Sequence, residues 1–516
     1  MQNSNLLSMN MPVMKQYEMF EMKFTAKEPQ DSYVDMKLQA EFNINQDRTV
    51  VKGFYIGHGT YVIRFYPKQI GTYTYKISGI LKSEGSVNCE SSNNKGMIMA
   101  KDTHFCHENG SPYYPFGTTV YALIHQPESL VNETLDSLKN SPFNKVRYCI
   151  FPKHYDYNHN DPLYFPFEKD VDGNWDVHRP CFAYWDNLES IIIQLGNMGI
   201  ETDLILFHSY DRWGFPFLNR EERIVYLEYV LRRLSAIPNI WWSMANEYDF
   251  LFNLEMNDWY EIESFINNND PFCHLLSNHN GMKLYDFSRP AITHCSVQTS
   301  AMHMADVWKE RFLKPVIFDE CCYEGDIQHE WGNITGFEMV NRFWKACAKG
   351  AYATHGETYY DKNEILWWAK GGTLKGESAS RIAFLKDLIY SFPSPLESWD
   401  EKIYEDMSNP TEIIKEGELP PFVRLMMSLS DEEKFNLDWK GASYSGHCGN
   451  EIYLKYFARQ QVSIYDLKLP KEHTYQIEII DIWNMTRNIL IKSTRGRTTL
   501  QLPRKEGIAV LATMIP

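Results

Sequence analysis

Two stretches of this sequence drive an apolar run to an abrupt end in acid. Residues 240–250 read IWWSMANEYDF and residues 314–325 read KPVIFDECCYEG. The first delivers Asn246 and Glu247 where the hydrophobic run stops, and the second delivers Asp319 and Glu320. Two carboxylates that flank one acetal can break it. One protonates the departing oxygen while the other attacks the anomeric carbon, and a gap of about 5–5.5 Å between them gives retention of configuration. An ionised Glu320 raises the pKa of a nearby Glu247 by like-charge repulsion, which keeps that acid loaded near neutral pH. Glu320 then needs cationic or hydrogen-bonding support, and Arg147 in FNKVRYCIFP is the best-placed cation.

Such a pair works only if the chain brings both ends to one place. From about residue 100 onward, short apolar runs alternate with helical stretches. The strand candidates are 113–119, 145–151, 201–207, 240–246, 273–278, 291–297, 315–320 and 351–356, with helices such as AYWDNLESIIIQLGNMG and GFEMVNRFWKACAKG between them. Alternation of this kind implies a parallel sheet, and eight units over about 290 residues fit a closed (β/α)8 barrel better than an open doubly wound sheet. No GxGxxG follows the first strand, which weighs against a dinucleotide site. The fifth unit is the weakest, because its helix must fit into GMKLYDF.

In a (β/α)8 barrel, catalytic groups sit at the C-terminal strand ends. Glu247 then emerges after the fourth strand and Glu320 after the seventh. Asp319 and Glu324 are the near rivals of Glu320, and strand-end position favours Glu320.

Period-two alternation in DMKLQAEFNI, TYVIRFYP and TYTYKISG predicts an N-terminal β-sandwich over 1–100, ahead of a barrel over 101–395. An acidic bridge, LESWDEKIYEDMSNPTEIIKEGELPP, opens the last region, 396–516, where EIYLKYFA, TYQIEIIDIW and GIAVLATMI predict a second β-sandwich.

Asn-Glu after strand four, a glutamate after strand seven and an arginine on strand two resemble the pattern of clan A retaining glycoside hydrolases. FGTTVYALIHQ, SMANEYD, KPVIFDECCYEG and THGETY narrow the likeness. They resemble a group of inferred glycoside hydrolases with an apiosidase-like catalytic barrel between an N-terminal β-sandwich and a C-terminal β-domain. The resemblance covers nearly the whole chain, with the flanking sandwiches matching in pattern. It implies that Glu247 is the acid/base, Glu320 the nucleophile and Asn246 the partner of a sugar 2-hydroxyl. Apiosidases use an aspartate as the acid, so Asn-Glu here implies a sugar other than apiose.

Several other residues are candidates for sugar contact. His208, His279, His294 and His355 recur at strand ends, but no HExxH or HxH spacing points to a metal. Hydroxyl binding is the expected role of His208 and His294. Glu357, in THGETYY, either touches the sugar or holds His355 or a tryptophan in place. Trp213, Trp367 and Trp368 are candidates for an aromatic platform under a sugar ring, set against plain loop packing, and Tyr121 and His125 carry the same two readings.

The formal net charge of −16 and the lack of a basic stripe exclude a nucleic-acid partner, and no run reaches membrane-span length. The first twenty residues do not read as a signal peptide. The ten cysteines show no CxxC spacing, so reduced thiols are expected. A cytoplasmic enzyme follows, with a leaderless fragment of an exported one as the alternative.

The expected activity is retaining hydrolysis of a β-glycosidic bond in an oligosaccharide or glycoconjugate, with no cofactor and no metal. Transglycosylation at the same site and non-catalytic carbohydrate binding on a barrel scaffold are the competing readings. Sugar identity, exo or endo action and oligomeric state are not written in the sequence.

Overall fold

The computed structural model describes residues 13–399, 421–430, 433 and 444–516. Most of the acidic bridge read at 396–421, and residues 1–12 of the stretch inspected for an export signal, lie outside the described residues. The chain divides into two compact units. One holds the described part of 1–113 with 117–296 and 360–373; the other holds 114–116, 297–359 and the described part of 374–516.

The first unit begins with two antiparallel-rich sheets. Met14–Lys15, Ser83–Glu90, Gly71–Gly79, Leu38–Ile44 and Asp47–Lys52 form one in that order, and Phe20–Thr25, Thr60–Phe65 and Phe54–Tyr55 form the other. Alternation decides which side chains face inward. Leu38, Ala40, Phe42 and Ile44 are buried from the first sheet, and they meet Tyr61, Ile63 and Phe65 of the second in one core. The rings of Phe42 and Phe65 stack with centroids 4.1 Å apart. Each such side chain taken from water contributes roughly 1.5–3 kcal/mol.

Eight parallel strands follow: β1 (Phe116–Thr119), β2 (Lys145–Cys149), β3 (Glu201–Phe207), β4 (Ile240–Ala245), β5 (Leu276–Ser277), β6 (Cys295–Gln298), β7 (Val316–Glu320) and β8 (Tyr352–His355). Their order in the sheet is β5-β4-β3-β2-β1-β8-β7-β6, which is the chain order read round a ring. A parallel bridge between His279 and Ser296 links the two ends of that row. This is the cyclic order of a (β/α)8 barrel.

The helices include α1 (Glu128–Lys139), α2 (Phe182–Asn197), α3 (Arg220–Leu234) and α4 (Met256–Asn269) in the first unit, and α5 (Ala305–Phe312), α6 (Gly336–Ala348) and α7 (Ser378–Tyr390) in the second. A reciprocal capping box starts α3: the Asn219 side chain accepts from the Glu222 amide, and Glu222 accepts from the Asn219 amide.

Between β5 and β6 the expected helix is absent. Residues 278–294 run instead through turns, pinned where Asp249 accepts the backbone N–H groups of Gly281, Met282 and Lys283. Gly281 and Pro290 within this short span explain the difference, since both raise the cost of a helix interior. The strand read at 291–297 accordingly starts later, at Cys295.

Every residue of β4 is buried. Trp241 packs against the tilted ring of Phe105 and edge-on against His294, while Trp242 donates from its indole to Asp270 at 3.0 Å. The apolar run is therefore consumed on both faces of one strand, and its polar end is what remains for chemistry.

In the second unit, Glu397–Ser398, Tyr444–Cys448, Ile452–Tyr456, Ile508–Ile515, Thr474–Asp481 and Thr486–Thr494 form a six-stranded sheet in that order. Ile464–Lys468 pairs with Arg497–Gln501 as a second layer. Tyr475, Ile477 and Val510 from the larger sheet share a core with Leu467 and Leu500 from the smaller. This domain docks on α6, where Tyr456 donates to Asn341 at 2.8 Å and lies against Trp344. All ten cysteines are free thiols.

Candidate active site

In the first unit, the end of β4 is the hub of a buried polar network. Glu247 adopts a left-handed backbone conformation, φ 52° and ψ 58°, at the residue where the strand gives way to a helical turn. A side chain with a Cβ pays roughly 1–2 kcal/mol to sit there. The surroundings hold it: the Glu247 N–H points to His279 Nδ1 at 3.4 Å, and the Tyr248 N–H donates to the His279 carbonyl at 2.9 Å. The turn rotates the Glu247 carboxyl onto a hydroxyl. Tyr210 donates to its Oε2, and Asn246 Nδ2 donates to the same oxygen at 3.2 Å.

Asn246 is fixed from its other side. Its Oδ1 accepts from Tyr121 Oη at 3.0 Å and from Arg147 Nη2 at 3.2 Å. Arg147, fully buried on β2, also donates to Ser243 at 3.2 Å and lies 3.4 Å from Asp203, which Lys145 approaches at 2.7 Å. From the sequence, Arg147 is expected to support Glu320. The bonds it makes instead orient the asparagine next to Glu247, a natural result of β2, β3 and β4 being neighbours in register.

Tyr210 and Lys153 are absent from the residues singled out by sequence. Both lie just past strand ends, Lys153 four residues after β2 and Tyr210 three after β3. In a parallel barrel that location alone is a signal for a site residue. The negative charge of Glu247 and, more strongly, burial raise the Tyr210 phenol well above its ordinary range, so it stays a donor. Lys153 is held among aromatic rings, its Nζ 3.6 Å from the centroid of Tyr121, 4.4 Å from Tyr210 and 5.0 Å from Trp368.

The remaining candidates of this unit divide. Tyr121 and Trp368 pack edge to face and belong to the network. Trp367 is turned inward, its indole donating to Thr118 at 2.8 Å. Trp213, half-buried, donates to Asp161 at 2.9 Å and takes Arg212 over its ring. His208 sits next to the network with Nε2 3.0 Å from the Phe151 carbonyl, and burial drives its pKa down to about 3, so the ring is neutral. His125 is likewise neutral, pushed to about 4 by burial.

His294 requires a correction. It precedes β6 and packs against Phe105 and Trp241, at the N-terminal ends of the strands, opposite the ends that carry Glu247. The later start of β6 removes it from a sugar-contact role.

In the second unit, Glu320 is the last residue of β7, and its carbonyl accepts the Thr299 N–H at 2.9 Å. Its side chain keeps partial access to solvent, yet protein surrounds the carboxyl closely enough for desolvation to push its pKa up to about 8, with Tyr323 opposing the shift. Its neighbour Asp319 is fully buried and accepts from Thr354 at 2.9 Å.

Glu324 is committed elsewhere. It accepts from the Ser378 hydroxyl, the Ser378 N–H at 3.2 Å, the Glu377 N–H at 2.8 Å and Tyr359 Oη at 2.9 Å. These donors occupy both oxygens and tie the start of α7 to the loop after β7. Glu324, His355 and Glu357 each bring a potential ligand atom within 4.8 Å of the others. With the lone pairs of Glu324 used by four donors, the cluster is an anchor for a helix N-terminus rather than a cation cage. Glu357 takes the Lys375 N–H at 2.7 Å, and its carboxyl lies 3.6 Å from His355 Nε2.

The family model described as "Apiosidase-like, catalytic domain" matches residues 100–416. Two domains of unknown function match on either side, over 13–79 and 439–513. Among solved structures, a protein from Bacteroides vulgatus ATCC 8482, inferred to be a glycoside hydrolase, is 30% identical. The match has a TM-score of 0.85 and covers 97% of this chain and 99% of that one. A family 5 glycoside hydrolase from the same organism shares the fold at 17% identity and a TM-score of 0.56, over 81% of this chain and 94% of that one. No curated protein matches. The family model spans more than half of the chain, so the protein belongs to the family with an apiosidase-like catalytic domain, which places it among the glycoside hydrolases.

Proposed function

We propose that this protein hydrolyses a β-glycosidic bond with retention, using Glu247 as acid/base and Glu320 as nucleophile. The observation that carries this reading is the end of β4. There a strained turn, a tyrosine hydroxyl and an asparagine amide aim one carboxyl. The Glu320 carboxylate attacks the anomeric carbon as the C–O bond to the leaving group breaks, and Glu247 gives its proton to the departing oxygen. Glu247 then takes a proton from water, whose oxygen displaces Glu320 and frees the sugar. Asn246, with Oδ1 held by Tyr121 and Arg147, has an amide N–H positioned for a sugar hydroxyl as well as for Glu247. The sandwich domains serve as support for the barrel, and the substrate is an oligosaccharide or glycoconjugate.

The test is to trap the intermediate. Incubation with activated 2-deoxy-2-fluoro β-glycosides should add one fluoroglycosyl mass to the peptide containing Glu320. Label on any other residue, or turnover with inversion by NMR, overturns the assignment. Transglycosylation shares this intermediate and is separated from hydrolysis by product analysis with an added sugar acceptor.

A further inference from the structure

Lys153 is 95% buried, and its backbone is pinned by the Asn158 side chain on its carbonyl and by the neighbouring His154 N–H on the Tyr210 carbonyl at 2.9 Å. Four aromatic rings surround its ammonium. To those of Tyr121, Tyr210 and Trp368 is added Tyr155, with its centroid 5.7 Å from Nζ. The rings brace one another edge to face, Tyr155 against Tyr210 at 4.8 Å and Tyr121 against Trp368 at 5.6 Å. Two of these walls are the hydroxyls that hold the reactive pair, since Tyr210 donates to Glu247 and Tyr121 to Asn246.

An ammonium has three N–H donors and no acceptor. Among the described residues, none of the three has a hydrogen-bond partner, because ring faces attract a cation but accept little. A buried ammonium in that condition is costly, and burial, the largest influence on it, lowers its pKa to about 8. A neutral hydroxyl returns one weak acceptor. An anionic oxygen group returns charge as well as acceptors, and charge-assisted bonds are about twice as strong as neutral ones.

We propose that Lys153 and its aromatic box form the recognition site for an anionic oxygen substituent, a carboxylate or a sulfate ester, on the sugar presented to Glu247. This rests on the reading of the Asn246–Glu247 end of β4 as the reacting site. The protein is then a glycosidase for acidic sugars, with a single buried cation doing the recognition in a chain whose net charge is −16.

Calorimetric binding of glucuronate, galacturonate, glucose 6-sulfate and galactose 6-sulfate, each against neutral glucose or galactose, tests the site without turnover. Aryl glycosides of the same series test it with turnover. At least one anionic sugar should bind about tenfold or more tighter than its neutral counterpart, and the better of the carboxylate and sulfate arms identifies the group. Lys153→Met should cut the anionic-to-neutral ratio at least about tenfold, whereas Lys153→Arg should retain most of it. Discrimination in binding with no turnover of any glycoside leaves this inference standing and removes the glycosidase reading. Turnover of neutral glycosides with no anionic preference in either assay does the reverse. Wild type alone decides both, should Lys153→Met fail to fold.

Discussion

Glu247 leaves β4 on a left-handed turn, with a phenol and an amide donating to one of its oxygens and a buried lysine close by. Glu320 ends β7 in regular strand conformation, and burial acts on its carboxyl more strongly than any partner, raising its pKa to about 8. Equivalent strand ends thus build two carboxyls by different physics. One is aimed by donors, which fix geometry; the other is shaped by desolvation, which favours the neutral form. From the sequence the reverse is expected, with an ionised Glu320 loading the proton onto Glu247. A carboxyl that resists ionisation in the resting protein is a stronger nucleophile once ionised, and charge developing on the substrate in the transition state can stabilise that anion.

The largest expected effect breaks the pair outright. Glu320→Ala should lower kcat on aryl β-glycosides by at least about 10⁴-fold whatever the leaving group, since no carboxylate remains to form the intermediate. Glu247→Ala should cost about 10²–10⁴-fold with poor leaving groups and far less with an activated phenol that needs no proton to depart. Equal losses with every leaving group for both variants would erase the distinction in roles.

A milder probe is the pH profile of kcat/KM, which reports groups of the free enzyme. A nucleophile must be anionic, and Glu320 is anionic only above about 8. The acidic limb should therefore lie near that value, with activity falling about tenfold per pH unit below it. If Glu320 were instead the proton donor, activity would persist at lower pH and be lost as pH rises through the same value. The sign of the limb assigns the roles independently of any substitution.

Much of this arrangement is legible in the chain. The run IWWSMA reads as a buried strand once the strand–helix alternation of the rest of the chain is taken with it, and Asn246 and Glu247 stand where it stops. Strand-end position favours Glu320 over its neighbours; in the structure Asp319 accepts from Thr354, and Glu324 is bound to the start of α7. What spacing does not carry is the partner of each polar group. Arg147 lies on the expected strand but bonds across β3 and β4, and Tyr210 and Lys153 become site residues only because loops after adjacent strands fold over the same spot. His294 shows the cost of a strand boundary misplaced by a few residues: a shift in where β6 begins moves its side chain from one end of the barrel to the other.

The smallest expected effect concerns stability, and it tests desolvation at Glu320 without any substrate. The folded-state pKa of about 8 lies above the ordinary value of 4.5, so the folded protein retains a proton that the unfolded chain releases. Below the ordinary value both states are protonated and the group costs nothing. As pH rises towards 8 the unfolded state gains the free energy of ionisation, and stability is lost until the folded carboxyl ionises too. Glu320→Gln has no proton to lose, so its thermal midpoint should equal that of wild type near pH 4.5 and exceed it by roughly 2–4 °C above pH 8. The partial exposure of Glu320 keeps this gain below what full burial would produce. A difference that stays constant with pH would mean that packing, rather than the charge, sets the effect, and that the contrast with Glu247 is one of geometry alone.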